Sequence, residues 1–292
     1  MLRTIVPLGL FAFALLGAVP VLSGTFALQN SIPKTSGQLI ARTVPSEPLE
    51  RNLNFWMVPN GSSAIVRRYD IDMTKLLHFV IVSDDFRTFM HVHPSFAGGH
   101  FVLTQRFPRP ALYHVYADGE PSGIGQQVFR FDLAVGSPRL HVKRELGPKG
   151  TSTSAGPYVV LFDRATLSTS GESKLTIHIR KNGHPARDLH PYLGALAHVV
   201  LLDADDLTYV HAHPMPLRAT TMKPPSGNAS MSGDRALEMA MPALAARTVT
   251  TPDMFVQVAV HKPGPYQLWL QFRGGGSLHV ARLLLTATNG RN

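Results

Sequence analysis

Short runs of alternating hydrophobic and polar residues recur along the chain, separated by turns rich in glycine, proline and aspartate. Examples are Tyr113–Ala117, Val128–Val135, Tyr266–Phe272 and Leu278–Ala287. Strands of this length at this spacing are typical of an all-β sandwich. Apart from a short helix expected within Asp234–Ala246, the pattern after the N-terminal region predicts only strands and turns.

The strand pattern occurs twice. Lys75–Pro94 aligns with Ala195–Pro214 without a gap at an offset of 120, and eight of these twenty positions are identical. Asn60-Gly61 matches Asn182-Gly183, and Asn-Gly favours a tight turn with positive φ. The sequence therefore predicts two tandem immunoglobulin-like or cupredoxin-like β-sandwich domains after an N-terminal signal or anchor segment.

Composition shifts suggest the boundaries of these units. Prolines and small polar residues mark a stalk before the first repeat, and a Gly/Ser/Thr/Pro-rich stretch marks a linker between the repeats. The predicted units are a signal peptide or membrane anchor at 1–28, a flexible stalk at 29–50, the first sandwich at 51–146, a linker at 147–157, and the second sandwich at 158–288 with an insertion at 215–250.

The N-terminus predicts export. An uncharged, mostly apolar stretch from Thr4 to Asn30 ends near the small-residue site Thr25-Phe26-Ala27, as in a cleaved signal peptide. The same stretch is long enough to remain as an anchor in the cytoplasmic membrane. We therefore expect a periplasmic or extracellular location, and the absence of cysteine excludes disulfides.

The net charge of +9 does not indicate nucleic-acid binding. Lysine and arginine are scattered, with short pairs such as Arg67-Arg68 and Lys143-Arg144. A nucleic-acid-binding protein would show a basic stripe interleaved with aromatic residues. The charge is best explained as a solvated basic surface, and we expect no nucleic-acid partner.

Histidine is the side chain that the two repeats share most clearly. Three of the eight identities are histidines, and both copies read H-x12-H-x-H-P. Three neutral imidazoles are a common ligand set for zinc and copper. The predicted metal ligands are His78, His91 and His93 in the first repeat and His198, His211 and His213 in the second.

Hairpin geometry supports one three-histidine site in each repeat. If the turn is centred between Asp84 and Asp85, His78 lies directly opposite His91. His93 follows His91 by two residues and projects from the same face. Two copies of this arrangement predict about two divalent ions per chain.

The surrounding residues favour Cu(II) or Zn(II) over Cu(I). Met90 precedes His91 by one residue and should point to the opposite face, and Met73 has unfavourable parity as well. Nitrogen ligands without thioethers suit Cu(II) and Zn(II). Asp85 and Asp205 lie in the turns, where we expect them to act as turn formers.

The chain resembles bacterial exported proteins of the YtkA-like and FixH-like group. The resemblance rests on Leu76–Val82, His91–Pro94 and Tyr113–Asp118, and in the second half on Pro191–His198 and His211–Pro214. It implies an exported β-sandwich with a link to copper or other heavy metals, and it maps the family pattern onto the six histidines. An envelope metal-handling protein is the expected partner.

Three classes of function remain open from the sequence. The favoured class is an exported protein that binds copper or zinc without turnover. The second is a structural or adhesive tandem sandwich whose histidines hold no metal. The third is a three-histidine metalloenzyme with a metal-bound hydroxide. No general base, nucleophile motif or substrate clamp is evident, so catalysis is not expected.

Overall fold

The computed structural model describes residues 22–24, 33–139, 142–217 and 250–290. All regular structure in these ranges is β-strand, arranged as two consecutive sandwiches. The prediction of an all-β sandwich fold is confirmed. Within the same ranges, no helix is present that is long and apolar enough to cross a membrane.

The first sandwich packs a four-stranded sheet, in the order β2-β3-β8-β7, against a six-stranded sheet. The larger sheet has the order β1-β10-β9-β5-β6, with β4 beside β9. The strands are β1 (Leu22–Gly24), β2 (Thr35–Val44), β3 (Glu47–Pro59), β4 (Tyr69–Asp70), β5 (Leu77–Ser83), β6 (Phe89–Val92), β7 (Ser95–Ala97), β8 (His100–Arg106), β9 (Ala111–Pro121) and β10 (Gln127–Val135).

The second sandwich repeats this plan with two six-stranded sheets. One has the order β11-β12-β14-β20-β19 with β15 beside β14, and the other β13-β22-β21-β17-β18 with β16 beside β21. The strands are β11 (Ser152–Ala155), β12 (Tyr158–Phe162), β13 (Thr166–Ser168), β14 (Glu172–Lys181), β15 (His184–Pro185), β16 (Leu189–His190), β17 (His198–Asp203), β18 (Tyr209–Ala212), β19 (Met215–Pro216), β20 (Asp253–Ala259), β21 (Gly264–Gly274) and β22 (Ser277–Thr288).

Each sandwich has its own hydrophobic core. In the first, the buried ring of Phe55 lies 5.9–6.3 Å from the rings of Phe79, Phe101, Phe129 and Phe131, measured between centroids. These phenylalanines come from both sheets, so their packing joins the two layers. The second core is mostly aliphatic.

A third core lies between the two sandwiches. We call the sheet containing β5 and the sheet containing β17 the facing sheets, because their outer faces pack against each other. Strand β5 shows the alternation: Phe79 and Ile81 point into their own sandwich, whereas His78, Val80 and Val82 point to the other face. This interface core comprises Val80, Val82, Phe86, Tyr116, Val128, Val200, Leu202, Ala204, Leu207, Tyr209 and Trp269.

Aromatic rings dominate the interface core. Trp269 is fully buried, with Phe89 stacked on it at 5.3 Å and Phe86 edge-on at 5.4 Å. Tyr116 stacks on Tyr209 at 4.7 Å. Tyr116 and Trp269 are thus buried between the two sandwiches and not inside either one.

The connection between the sandwiches runs along this interface. The Arg144 guanidinium donates to the Asp84 carboxylate at 3.1 Å in the first repeat and to the Asp205 carbonyl at 3.0 Å in the second. It also lies 5.2 Å from the ring centroid of Phe86. Arg144 therefore ties both hairpin turns to the connecting segment.

Two predicted flexible segments contain strands instead. The stalk at 29–50 includes β2, which pairs with β3 over Thr35–Val44. The linker at 147–157 includes β11, an edge strand of the second sandwich over Ser152–Ala155. The proposed insertion begins with β19, which pairs with β20. Proline and polar residues in these segments lie at strand ends and exposed positions.

Other boundary predictions fall outside the described residues. These include most of the leader at 1–28 and the helix expected at 234–246. Within the leader, Leu22–Gly24 pairs with β10.

His114 is a structural residue of the first sandwich. It is 3% exposed, and its two ring nitrogens lie 2.7 Å from an Asp132 oxygen and 3.2 Å from an Asp84 oxygen. Burial acts to lower the pKa of His114, but the hydrogen bonds and negative charges of Asp132 and Asp84 outweigh it and raise the pKa above the usual value. Protonated His114 thus links β9, β10 and the hairpin turn.

Removing the largest ring from the interface core should be costly. We expect Trp269→Ala to lower the free energy of unfolding by about 3–5 kcal/mol. The substitution leaves a buried apolar cavity, and the hydrogen-bonded strands around it cannot move in to close it. Chemical denaturation of the metal-free protein measures this. The matched control is Val159→Ala on an exposed strand position, and a Trp269→Ala loss as small as the control's would contradict the interface.

The His114 carboxylate network should make stability depend on pH. A raised folded-state pKa means that its contribution is complete below the unfolded value of about 6.5 and is lost as pH rises through the folded value. We therefore expect His114→Gln to destabilise the protein more at about pH 6 than at about pH 9. Denaturation of both proteins at each pH tests this, and an equal difference at both values would contradict it.

Candidate metal centre

The facing sheets bring all six motif histidines together at one end of the interface core. Ring centroids across the interface are 5.2 Å apart for His78 and His211, 4.9 Å for His91 and His198, and 5.3 Å for His91 and His211. The two predicted sites, one in each repeat, therefore merge into a single cluster. We call it the histidine cluster; its members are His78, His91, His93, His198, His211 and His213.

The hairpin register differs from the predicted one by two residues. Val80, not His78, pairs with His91, and Val200 likewise pairs with His211. The reason is a longer turn, since the Ser83 amide donates to the Thr88 carbonyl and four residues lie between them. A shift of two preserves side-chain parity, so the histidines still share one face.

Position 86 explains the longer turn. Phe86 has a φ of 62° and is fully buried in the interface core. Leu207 in the second turn has a φ of 67° and is also buried there. Each turn thus places a hydrophobic side chain against the opposite repeat, which a tight two-residue turn could not do.

The three histidines of the first repeat converge as predicted. His78 Nδ1 lies 2.9 Å from His91 Nε2 and 3.1 Å from His93 Nε2. With metal–nitrogen bonds of about 2.0–2.1 Å, ligand nitrogens are about 2.9 Å apart at a right angle and about 3.3 Å apart in a tetrahedron. These three nitrogens lie close enough together that the group could hold one metal ion.

The second repeat contributes its histidines to groups that include residues of the first. His91, His198 and His211 each offer a nitrogen, and these atoms lie within 4.8 Å of one another. We call these three residues the central group. Its ring centroids lie 4.9, 5.3 and 5.7 Å apart.

Hydrogen bonds orient every ring of the central group. His91 Nδ1 lies 3.1 Å from Gln271 Oε1, His198 Nε2 lies 3.0 Å from the Tyr192 carbonyl oxygen, and His211 Nδ1 lies 3.2 Å from Asp118 Oδ2. These oxygens accept hydrogen bonds, so the outer nitrogens carry the protons. The inner nitrogens therefore present lone pairs to one another.

Two of these outer acceptors are exchanged between the repeats. Asp118 on β9 and Gln271 on β21 occupy matched positions, each paired in register with the first motif histidine of its own repeat. Asp118 accepts from His211 of the second repeat, and Gln271 accepts from His91 of the first. The orientation of each ring thus depends on the packing of both sandwiches.

Asp72 brings a carboxylate to the cluster. It lies in the tight turn before β5, with an oxygen 3.5 Å from His78 Nε2, and it forms a ligand-competent group with His211 and His213. The matched turn of the second repeat carries Tyr192 instead. The cluster is therefore asymmetric in charge.

Burial disfavours the protonated form of most of the clustered imidazoles. Burial is the largest cause of a lowered pKa at each shifted member, followed by neighbouring charge. The pKa of His198 falls to about 3 and that of His93 to about 4, the latter with a contribution from Lys75. The pKa values of His78 and His91 also fall well below the usual range. Neutral imidazole is the metal-binding form.

Other sequence predictions near the cluster agree with the structure. Met90 packs against the core of the first sandwich, away from the histidines. Asp85 accepts hydrogen bonds from the Ser83 hydroxyl and the Arg87 amide, as a turn former does.

The sequence reasoning missed Asp72, Asp118, Gln271 and the Tyr192 carbonyl. Asp118 lies in the Tyr113–Asp118 motif, and an alignment of the two repeats matches it with Gln271. Gln271 is an amide rather than an acid, so the match does not suggest a shared role. Both residues also bond to histidines of the opposite repeat, and this contact cannot be predicted from the sequence of one repeat. A backbone carbonyl carries no sequence signal at all.

Comparison with known proteins gives a family match for the second half alone. Residues 152–289 match a family model described as Domain of unknown function (DUF8832), which covers just under half of the chain. Among curated proteins no sequence matches.

Two solved structures show distant similarity. Trypsin-activated alpha-2-macroglobulin from Escherichia coli has 11% identity and a TM-score of 0.23, and Salmonella alpha-2-macroglobulin reacted with methylamine has 12% and 0.21. They align with 90% and 94% of this chain but with 17% and 16% of their own, so the chain spans about a sixth of their length. At this distance the fold assignment rests on the strands themselves.

The exchanged hydrogen bond of Asp118 should stabilise the metal-free protein. Asp118→Ala removes the acceptor of two buried donors, His211 Nδ1 and the Tyr209 hydroxyl, and we expect a loss of about 1–3 kcal/mol in the free energy of unfolding. Asp118→Asn keeps an acceptor oxygen and should recover most of it. Chemical denaturation with a chelator present decides, and Asp118→Ala with wild-type stability would contradict the assignment.

Proposed function

We propose that this chain is an exported metal-binding protein that holds a Cu(II) or Zn(II) ion between its two sandwiches, in the central group of His91, His198 and His211. Its role is metal handling without turnover. The observation that carries the proposal is the convergence of three imidazole lone pairs whose outer nitrogens are already bonded to acceptors.

The contact between His198 and His211 supports the fit of a cation. His198 Nδ1 and His211 Nε2 face each other at 3.4 Å. Both rings donate their outer proton, one to a backbone carbonyl and the other to Asp118. When both rings are in the neutral form that binds metal, their inner nitrogens face each other lone pair to lone pair, and a shared cation would make that arrangement favourable.

The outer hydrogen bonds are those expected around a metal. A ligating histidine usually donates its second nitrogen to a carboxylate, carbonyl or other acceptor, which orients the ring and increases its basicity. Gln271, the Tyr192 carbonyl and Asp118 supply one such acceptor to each ring. A purely structural buried histidine would pair its ring nitrogens with protein acceptors and donors, as His114 does, and would not need to converge with two other imidazoles.

The donor set favours Cu(II) and Zn(II). Imidazole nitrogens and one carboxylate face the cluster, and the nearby Met90 thioether does not. Borderline nitrogen ligands suit these two ions, and Cu(II) binds most tightly in the divalent series. The apolar N-terminal stretch supports an extracytoplasmic location, where an envelope metal-handling protein is the proposed partner.

Metal titration of tag-free, chelator-treated protein tests the proposal. We expect saturable binding, with a tightest site that needs both repeats. His91→Ala and His198→Ala, one from each repeat, should each weaken that site by about 100-fold or more, above the 10–100-fold effect typical of outer-shell changes. Isothermal calorimetry with competing chelators measures the affinities.

The matched control is His178→Ala. His178 pairs with Asp253 on the second sandwich's other sheet, so this variant should bind like the wild type. If His198→Ala leaves the tightest site intact, the ion belongs to one repeat and not to the central group. If no variant, including the wild type, shows saturable binding, the protein is a structural tandem sandwich.

A further inference from the structure

The histidine cluster contains three overlapping ligand groups. Besides the central group, His78, His91 and His93 form one, and Asp72, His211 and His213 form another. We call these the two flanking groups. They share no residue with each other, but each shares one histidine with the central group.

We propose that the cluster has two alternative loading states: one ion in the central group, or two ions in the flanking groups. This inference rests on the proposed metal-binding function and extends it. The second ion is a divalent transition metal of the same class, held by two histidines and the Asp72 carboxylate. Loading the second ion releases His198 from coordination and divides His91 and His211 between the two ions.

The two states exclude each other because the shared histidines have one lone pair each. The outer nitrogen of His91 donates to Gln271, and that of His211 donates to Asp118. Each ring therefore offers a single inner nitrogen and cannot bridge two ions. An ion in the central group occupies both of these nitrogens.

The two flanking groups are distinct in chemistry. The first offers three nitrogens, and its His78 Nδ1 lies 2.9 and 3.1 Å from the nitrogens of His91 and His93. The second offers two nitrogens and a carboxylate from the partly exposed Asp72, which supplies the negative charge for a second cation.

Charge sets the order of loading. His91 and His211, which would serve different ions, have ring centroids only 5.3 Å apart, so the two ions would lie close together. Two divalent ions at short distance repel each other strongly in a buried site. The one-ion state should therefore fill first and the two-ion state only at higher metal concentration.

A Cu(II) titration followed by electron paramagnetic resonance tests the inference in the full chain. With one equivalent we expect an isolated Cu(II) signal with nitrogen coupling. With two equivalents we expect bound copper to reach two per chain, with dipolar broadening or loss of signal from the coupled pair. Equilibrium dialysis counts the ions independently.

Two variants should separate the states in opposite directions. His198→Gln removes a ligand of the central group alone. This variant should have a lower affinity for the first equivalent of Cu(II) and should still bind two ions at saturation. Asp72→Asn removes a ligand of one flanking group alone. This variant should bind the first equivalent of Cu(II) like the wild type, and its affinity for the second ion should fall by tenfold or more. His178→Ala is again the unaffected control.

The outcomes distinguish the inference from the function on which it rests. Absence of saturable binding of both Cu(II) and Zn(II) overturns the proposed function itself. Saturation at one ion in the wild type overturns the two-state inference and leaves the function standing. Two bound Cu(II) ions without dipolar coupling would also overturn the inference, because they would lie in separate sites. Binding of the second ion that is unchanged in Asp72→Asn would overturn it for the same reason.

Discussion

Burial of imidazole between two apolar sheet faces is the constraint on which the structure depends. A buried ring nitrogen needs a partner, because an unpaired polar group in an apolar environment is costly. Here Asp118 and Gln271 supply partners from the opposite repeat, while Trp269 and its aromatic neighbours fill the adjoining space. The packing of the two sandwiches and the orientation of the histidine rings are therefore determined by the same interface.

The interface gives the histidine cluster a rigid frame. Its histidines lie on or beside hydrogen-bonded strands, and Arg144 holds both hairpin turns against the connecting segment. A site built on such elements loses little freedom when it is occupied. Because its ligands come from both halves, anything that binds the folded cluster also strengthens the association of the sandwiches.

Parity in a β-strand explains what could be predicted from sequence. The two-residue register error left His78, His91 and His93 on one face, since side-chain direction repeats every two residues. The turn itself depends on Phe86 packing against the other repeat, which no local signal contains. The merged cluster was missed for the same reason, and strand β2 was hidden because prolines flank its alternating residues.

Tandem fusion on one chain permits a charge balance that a pair of identical subunits could not reach. Two copies of the first repeat would place every carboxylate beside the cluster twice. In this chain Gln271 stands at the position matching Asp118, and Tyr192 at the position matching Asp72. One Asp118 and one Asp72 therefore lie beside the histidines, so the cluster carries half the carboxylates that two copies of the first repeat would bring to it.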